Sequence, residues 1–324
     1  MYIATTTHAR VRICIHALQA GVDVYAEKPI TLTIEEGQAL IRAVRKHQRI
    51  FQAGTQARSM PVNRWAVELL HRGAIGKITK VEVPNFDAPK EYKPLAQGQP
   101  VPEGLDWDQW CNQVPLFPCD LRLIKDLYTW APLRPFDGNG TIWGMTGFGT
   151  HAYDQIQWGI QKDGTSPVEI WPAQPGSLTS PVHMRYADGL LLEMMEQPHK
   201  GPAFGGIFHG DKGKLEINRG KAQSNPAEIA KKPPKFHNLY PHKTTAWHVK
   251  NWLDSIRSRQ EPNCPVEAAH RHTVLCHLAN VARDLGRKLK YDPQTDRFVG
   301  DDEANRHPSV TRPRRKGYEL PDLS

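Results

Sequence analysis

Ala26-Glu27-Lys28-Pro29 is the most informative stretch of this chain, and it lies close to the chain's start. It follows a short run typical of a buried strand, Val22-Asp23-Val24-Tyr25, and precedes a helical pattern from about Ile34 to Lys46. Open α/β sheets bind ligands at the carboxyl ends of their strands, so a lysine here is a candidate for site chemistry. Because no glycine-rich turn precedes it, we interpret the chain as the later part of a nucleotide-binding enzyme.

Strands and helices alternate through residue 73. Strand patterns over Tyr2–Thr5, Val22–Ala26 and Arg49–Ala53 are separated by helical patterns, which favours a parallel sheet. Thr33 is expected to cap the second helix, with Glu36 completing a capping box. A full dinucleotide fold has about six strands, so this section predicts a partial Rossmann-type sheet.

The rhythm changes after residue 73. The residues from Ala88 to Pro118 are rich in Pro, Gly and Gln and predict a long irregular excursion. A helix is predicted from His151 to Ile160, and two more over about Thr244–Arg257 and Val266–Leu285. Strand candidates are Ile78–Phe86, Val168–Trp171, Val182–Tyr186, Leu190–Met195, Gly206–His209 and Lys214–Ile217. We therefore predict an α/β unit over residues 1–73, followed over 74–324 by an α+β unit with a mainly antiparallel open sheet and a polar tail.

Four short motifs in this order resemble the Gfo/Idh/MocA oxidoreductases. The motifs are Thr5-Thr6-Thr7-His8, Glu27-Lys28-Pro29, Gly54-Thr55-Gln56-Ala57-Arg58 and Gly149-Thr150-His151-Ala152-Tyr153-Asp154. The resemblance covers nearly the whole chain. It implies an NAD(P)-dependent oxidoreductase acting on a sugar, polyol or glycoside hydroxyl, and a homo-oligomer formed through the C-terminal sheet.

The resemblance implies catalytic roles for Lys28, His151 and Asp154. Lys28 would bind the substrate hydroxyl and help move its proton, and a neutral His151 would accept that proton. Asp154, one helical turn later, would orient His151 or simply cap and pack. A lysine simply paired with Glu27 at a strand end, and a buried histidine bonded to the backbone, are the structural alternatives. The resemblance also implies an unusual backbone geometry at Pro29, such as a cis peptide bond.

Some sequence features favour a bound nicotinamide cofactor, and others argue against it. The resemblance implies contacts with NAD or NADP for Thr5, Thr6, His8, Glu27, Lys28, Pro29, Gln56 and Arg58. No G-x-G-x-x-G occurs in the chain, however, and the phosphate cradle and the acidic residue for the adenosine ribose would lie upstream of Met1. We therefore expect a longer natural protein and a truncated reading frame here, with weak cofactor binding if the chain starts at Met1.

Gly147 departs from the family pattern. Family dehydrogenases carry an aspartate four residues before the histidine, and this chain has Gly147 there. Either Asp154 or a group elsewhere compensates, or the redox chemistry is altered. Two alternatives to a dehydrogenase stay open: a redox-assisted glycosidase that uses NAD transiently, and a non-catalytic binding or assembly module without a cofactor site.

Composition limits the remaining classes. The 324 residues are 39% hydrophobic and 23% charged, an ordinary globular composition with length for two domains of roughly 100–200 residues. The +8 charge is scattered and no recognition motif accompanies it, so nucleic-acid binding is not expected. No apolar run approaches the roughly 20 residues that span a bilayer. Five widely spaced cysteines do not suggest a disulfide framework, and no metal is expected at His272 and Cys276. A cytoplasmic location is expected, or a periplasmic one if an export signal lies upstream.

Overall fold

The first unit is built on a three-stranded parallel sheet. In a computed structural model that describes residues 1–198, 201–234 and 242–323, the strand order is β1-β2-β3. The elements are β1 (Tyr2–Ile3), α1 (Thr7–Gln19), β2 (Val24–Ala26), α2 (Ile34–His47), β3 (Phe51–Ala53), a 3₁₀ turn (Gln56–Ser59) and α3 (Pro61–His71). Ile3, Ala26 and Ala53 share one register, so the turns after the three strands lie side by side.

The start of α2 follows from its cap. The Thr33 hydroxyl accepts a hydrogen bond from the backbone N–H of Glu36 at 3.2 Å, as the sequence predicts. The Glu36 carboxylate does not close the reciprocal bond of a capping box: it accepts from the N–H of Leu32 at 2.7 Å, one residue before the cap. Acidic residues in the first turn and basic residues in the last complement the helix dipole.

The second unit is a nine-stranded mixed sheet in the order β10-β9-β8-β4-β7-β6-β5-β11-β12. Its strands are β4 (Ile78–Asn85), β5 (Glu169–Pro172), β6 (Val182–Arg185), β7 (Leu191–Pro198), β8 (Gly206–Gly210), β9 (Gly213–Asn218), β10 (Lys221–Asn225), β11 (Leu289–Asp292) and β12 (Arg297–Phe298). Every neighbouring pair is antiparallel except β4 and β7. The predicted mainly antiparallel sheet is therefore confirmed.

Six further helices complete the described structure: α4 (Trp107–Cys111), α5 (Leu127–Trp130), α6 (Phe148–Gly159), α7 (His242–Ser258), α8 (Val266–Leu285) and α9 (Asp302–Asn305). The α8 helix contributes to both hydrophobic cores, with Val266 and Ala269 in the first and Leu275 and Leu278 in the second. No helix formed by the residues described here is long and apolar enough to cross a membrane.

Two expectations about the chain after residue 218 need correction. The strand β10 was missed because its alternation involves polar and small side chains rather than apolar ones. The tail predicted to be polar also carries apolar contacts, since Leu320 and Leu323 pack against the core of the first unit. The Lys- and Pro-rich residues 226–241 include a 3₁₀ turn at Ala227–Ala230, and residues 235–241 lie outside the described part of the chain.

Candidate functional site

The site forms where the three parallel strands of the first unit end. Thr5 is exposed and Thr6 half-buried in the turn after β1, and Pro29 follows a cis peptide bond after β2, as expected. The buried guanidinium of Arg10 donates to the carbonyl oxygens of both Thr5 and Pro29. Arg10 therefore joins the two turns. Sequence reasoning missed this residue because its place in the first turns of a helix carries no motif.

Glu27 is the carboxylate at this edge. Its Oε1 accepts a hydrogen bond from the Tyr2 hydroxyl at 2.7 Å and one from Gln56 Nε2 at 3.3 Å. A Cβ at Gly54 would lie 2.7 Å from Glu27 Oε2, so the glycine makes room for the carboxylate. The structure thus brings Glu27 and Gln56 together, as the motifs suggest.

Lys28 points from the first unit into the second. Its Nζ donates to the carbonyl oxygen of Gly147 at 3.3 Å, so it is not simply paired with Glu27. Burial lowers the pKa of Lys28, while the carboxylates of Asp137 and Glu27 act in the opposite direction. A lysine whose pKa is lowered by desolvation exchanges its proton more readily near neutral pH.

His151 lies close to Lys28 because α6 begins beside the lysine. Gly147 is the N-cap of α6, and His151 is one turn further along. The helix starts at Phe148 rather than at the predicted His151, because Gly149 is a poor helix former and gives no sign of the earlier start. The ring of His151 is 6% exposed and lies edge-on to Phe204 at 5.5 Å between centroids. Burial, followed by the charge of Lys28, holds the pKa of His151 well below its usual range, so the imidazole is neutral.

Gly147 occupies a position that is closed to any side chain. A Cβ there would lie 1.9 Å from the carbonyl oxygen of Thr141 and 2.9 Å from the carbonyl carbon of Gly140. The backbone N–H groups of Thr146 and Gly147 both donate to the Asn139 carbonyl oxygen at 3.1 Å, which holds the loop in this conformation. The aspartate that the family pattern predicts at this position does not fit this loop.

Asp137 is a second residue that sequence reasoning missed. It is 1% exposed, and its Oδ2 accepts a hydrogen bond from the Thr7 hydroxyl at 2.5 Å. Its Oδ1 accepts from the Thr146 hydroxyl and from the N–H of Gly138. Burial raises the pKa of Asp137, and Arg10 and Lys28 act in the opposite direction. A carboxylate therefore lies near Lys28 even though position 147 carries none.

Asp154 belongs to a separate buried cluster. Its Oδ1 accepts from Arg58 Nε at 2.6 Å and lies 3.0 Å from Nδ1 of His272. Arg58 also binds Asp163 through two 2.7 Å hydrogen bonds. The positive charge of Arg58 holds the pKa of Asp154 well below its usual range, against the effect of burial. Asp154 acts on His151 by its charge, while its own hydrogen bonds go to the cluster.

This cluster also contains the one group of potential metal ligands among the described residues: Asp154, Cys264 and His272. The Arg58 guanidinium already places a positive charge on the shared carboxylate oxygen. Cys276, which the sequence grouped with His272, is not a member of this group: its thiol lies 3.7 Å from the His272 carbonyl oxygen and 3.8 Å from the Thr150 hydroxyl. The arrangement therefore favours an internal ion pair over a metal.

His8 and Arg58 have protein partners, so their predicted cofactor contacts stay predictions. Nε2 of His8 bonds the Trp110 carbonyl oxygen at 2.8 Å, and the ring packs edge-on against Phe136. Burial lowers the pKa of His8 to about 4. The predicted cofactor residues that the fold gathers at one edge are Thr5, Thr6, Glu27, Lys28, Pro29 and Gln56.

A nicotinamide fits what this edge offers. Thr5 is exposed there, Thr6, Glu27 and Lys28 are half-buried, and Gly54 makes room for the Glu27 carboxylate. Amide, hydroxyl and carboxylate groups at the carboxyl ends of parallel strands are suited to binding the polar end of a dinucleotide. The phosphate-binding glycine loop of such sites has no counterpart in this sequence.

Comparisons with known proteins agree with this geometry. Residues 73–320 match the Gfo/Idh/MocA description "Oxidoreductase family, C-terminal alpha/beta domain". Residues 1–55 match the description "Oxidoreductase family, NAD-binding Rossmann fold". Over 76 residues the chain is 33% identical to the 2,7-anhydro-N-acetylneuraminate hydratase of Mediterraneibacter gnavus, a match spanning 24% of this chain and only 20% of that protein.

Solved structures share the fold. Myo-inositol 2-dehydrogenase from Lactobacillus plantarum superimposes with a TM-score of 0.59 at 16% identity, over 90% of this chain and 80% of that one. Levoglucosan dehydrogenase in complex with NADH and L-sorbose gives 0.59 at 15% identity, over 89% and 78%. The family match over most of the chain, joined to this fold, shows that the protein belongs to the Gfo/Idh/MocA oxidoreductase family.

Proposed function

We propose that the protein is an NAD(P)-dependent oxidoreductase that acts on a hydroxyl group of a sugar, polyol or glycoside. The observation that carries the proposal is the convergence of Lys28 and His151, which are far apart in the sequence. Lys28 Nζ binds the N-cap residue of the helix that presents His151 one turn later. A half-buried lysine beside a neutral imidazole is a suitable pair for moving the proton of an alcohol.

Each residue has a distinct task in this proposal. A nicotinamide, when bound, supplies the acceptor or donor of hydride, and Thr5, Thr6 and Glu27 are the residues that would hold it. Lys28 donates a hydrogen bond to the substrate oxygen and fixes the position of the reacting carbon. His151 accepts the hydroxyl proton during oxidation, since its lowered pKa keeps it neutral. In the reverse direction the protonated ring returns that proton to the oxygen.

The surroundings of His151 support a carbohydrate substrate. Phe204 lies 4.2 Å from Phe148 between ring centroids, and Phe148 lies 5.4 Å from Trp143. All three rings are half-buried, so they form an aromatic wall beside the imidazole. Aromatic faces suit the C–H surface of a sugar ring, and polar groups across from them suit its hydroxyls. The names of the structural neighbours, which include levoglucosan and myo-inositol dehydrogenases, agree with this substrate class.

We extend the proposal to assembly and location. The outer face of the nine-stranded sheet carries a ladder of half-buried charged groups, in which Lys80 bridges Glu82 and Glu193 at 2.9 Å each. A second copy of the chain is the proposed partner of this face. The five cysteine thiols are unpaired, which suits a reducing compartment such as the cytoplasm. No observation favours the redox-assisted glycosidase or the non-catalytic module.

The test is cofactor binding followed by turnover. Calorimetry with NAD(H) and NADP(H) on the 324-residue chain should give binding that Glu27→Gln weakens, with Glu228→Gln on an exposed 3₁₀ turn as the matched control. A panel of sugars, polyols and glycosides is then screened for the absorbance of reduced nicotinamide. Substrate-dependent formation of reduced cofactor supports the proposal. Release of a free sugar without net change in cofactor, or no cofactor binding at millimolar concentration, contradicts it.

A further inference from the structure

We propose that Asp137 is the positioning residue that supplies, beside Lys28, the negative charge that position 147 has no room to carry. This inference rests on the proposed function of Lys28 as the group that binds the substrate oxygen. Asp137 would keep Lys28 protonated and correctly placed. The carboxylate would come from position 137, whereas the family pattern has it at position 147.

The hydrogen bonds of Asp137 connect both walls of the site. Thr7, which donates to Oδ2 at 2.5 Å, begins α1 directly after the Thr5-Thr6 turn. Thr146, which donates to Oδ1, directly precedes the residue whose carbonyl oxygen binds Lys28. One carboxylate therefore fixes the turn proposed to hold the cofactor and the backbone that holds the lysine.

The glycines around Asp137 explain why the carboxylate fits here. A Cβ at Gly140 would lie 2.7 Å from Asp137 Oδ2, and a Cβ at Gly138 would lie 2.6 Å from Cγ2 of Thr146. Asn139, with φ of 70°, reverses the chain between them. The segment from 137 to 147 thus folds back on itself so closely that Asp137 reaches the region of the site where Gly147 stands.

Charges on several elements act on this pair. Asp137 has the largest charge effect on Lys28, ahead of the adjacent Glu27. The other titratable groups that act on Lys28 or Asp137 are Arg10, His151, Cys276 and Arg312. Since Arg10 and Arg312 are cationic and His151 and Cys276 are neutral, the carboxylates of Asp137 and Glu27 are the groups in this set that favour protonated Lys28. Removing Asp137 should therefore make Lys28 lose its proton at lower pH.

The experiment is a titration of Lys28 that needs neither cofactor nor substrate. Lysines are labelled by reductive methylation with ¹³C, and the Lys28 signal is assigned by its loss in Lys28→Arg. Asp137→Asn is expected to move the Lys28 titration to lower pH by about one unit or more. Asp120→Asn is the matched control, because Asp120 is also fully buried but binds Arg122 and Tyr92 instead.

An unchanged Lys28 titration in Asp137→Asn overturns the inference. If the NMR spectrum shows that Asp137→Asn is unfolded, Asp137→Ser is used instead. It replaces the carboxylate by a smaller neutral side chain and must displace the Lys28 titration in the same direction. Because the titration is independent of turnover, failure of the inference is distinguishable from failure of the proposed function. If the Lys28 titration is displaced but the protein has no turnover, the inference holds and the proposed function fails. If the protein has turnover but the Lys28 titration is not displaced, the proposed function holds and the inference fails.

Discussion

Replacing Gly147 by alanine tests the closed geometry at the centre of the site. The new Cβ would stand 1.9 Å from the Thr141 carbonyl oxygen, whereas a close carbon–oxygen contact needs about 3.3 Å. Its other near neighbours are also backbone atoms, those of Gly140, so no flexible side chain can move away to make room. The loop itself must shift by more than about 1 Å.

The magnitude follows from two contributions. Forcing a methyl group into packed backbone costs about 1–3 kcal/mol. The shift also strains the two 3.1 Å hydrogen bonds to the Asn139 carbonyl oxygen, each with a net contribution of about 1 kcal/mol. We expect Gly147→Ala to lower the free energy of unfolding by about 3 kcal/mol.

Urea unfolding followed by tryptophan fluorescence measures this loss against a matched variant. Gly164 has no heavy atom within 4 Å of a built Cβ, and its backbone is not in the left-handed region. Gly164→Ala should therefore stay within about 1 kcal/mol of wild type. Equal stability of Gly147→Ala and Gly164→Ala would refute the claim that position 147 excludes a side chain.

Two further predictions concern the buried charges. Asp154→Asn should lower the free energy of unfolding by about 3 kcal/mol or more, because it leaves the buried Arg58 guanidinium facing a neutral amide. A loss below about 1 kcal/mol in urea unfolding would contradict the buried ion pair, and the exposed Asp254→Asn serves as control. The free energy of unfolding should also fall as the pH drops below about 6.5, because histidines of the unfolded chain are then protonated while the buried histidines of the folded chain stay neutral. The histidines with lowered pKa values include His151, His8 and His248, the last two at about 4, and His277 at about 3. Between its pKa in the unfolded state and its pKa in the folded state, each histidine lowers the free energy of unfolding by about 1.4 kcal/mol per unit of falling pH. A free energy of unfolding that stays constant between pH 6 and pH 4 would contradict their burial.

The first unit was predictable because its signals are local. The alternating runs, the cap at Thr33 and the Glu27-Lys28-Pro29 turn each depend on residues within a few positions of one another. The long helix Val266–Leu285 was predicted with its observed ends, since Gly286 takes the left-handed conformation that closes it. Such local signals predict secondary structure well because they depend on neighbouring residues and not on how distant segments pack.

The site residues that were not predicted have roles that depend on contacts between distant parts of the chain. Asp137 and Arg10 act through hydrogen bonds to segments far away in the sequence, and neither belongs to a motif. The opposite holds for Asp154, which the motif placed beside His151 while its contacts in the fold are with Arg58 and His272. Sequence spacing places His151 and Asp154 on one helix, but only packing decides which groups face them.

The most direct test of the account is the turnover of a responsive sugar or polyol by Lys28 and His151 variants. Lys28→Met and His151→Asn are compared with Lys125→Met and His71→Asn, whose side chains lie on the surface. The account predicts that the first pair lose about 10²–10⁴-fold in kcat while binding of the cofactor persists, and that the second pair match wild type. Wild-type kcat in Lys28→Met or in His151→Asn would contradict it.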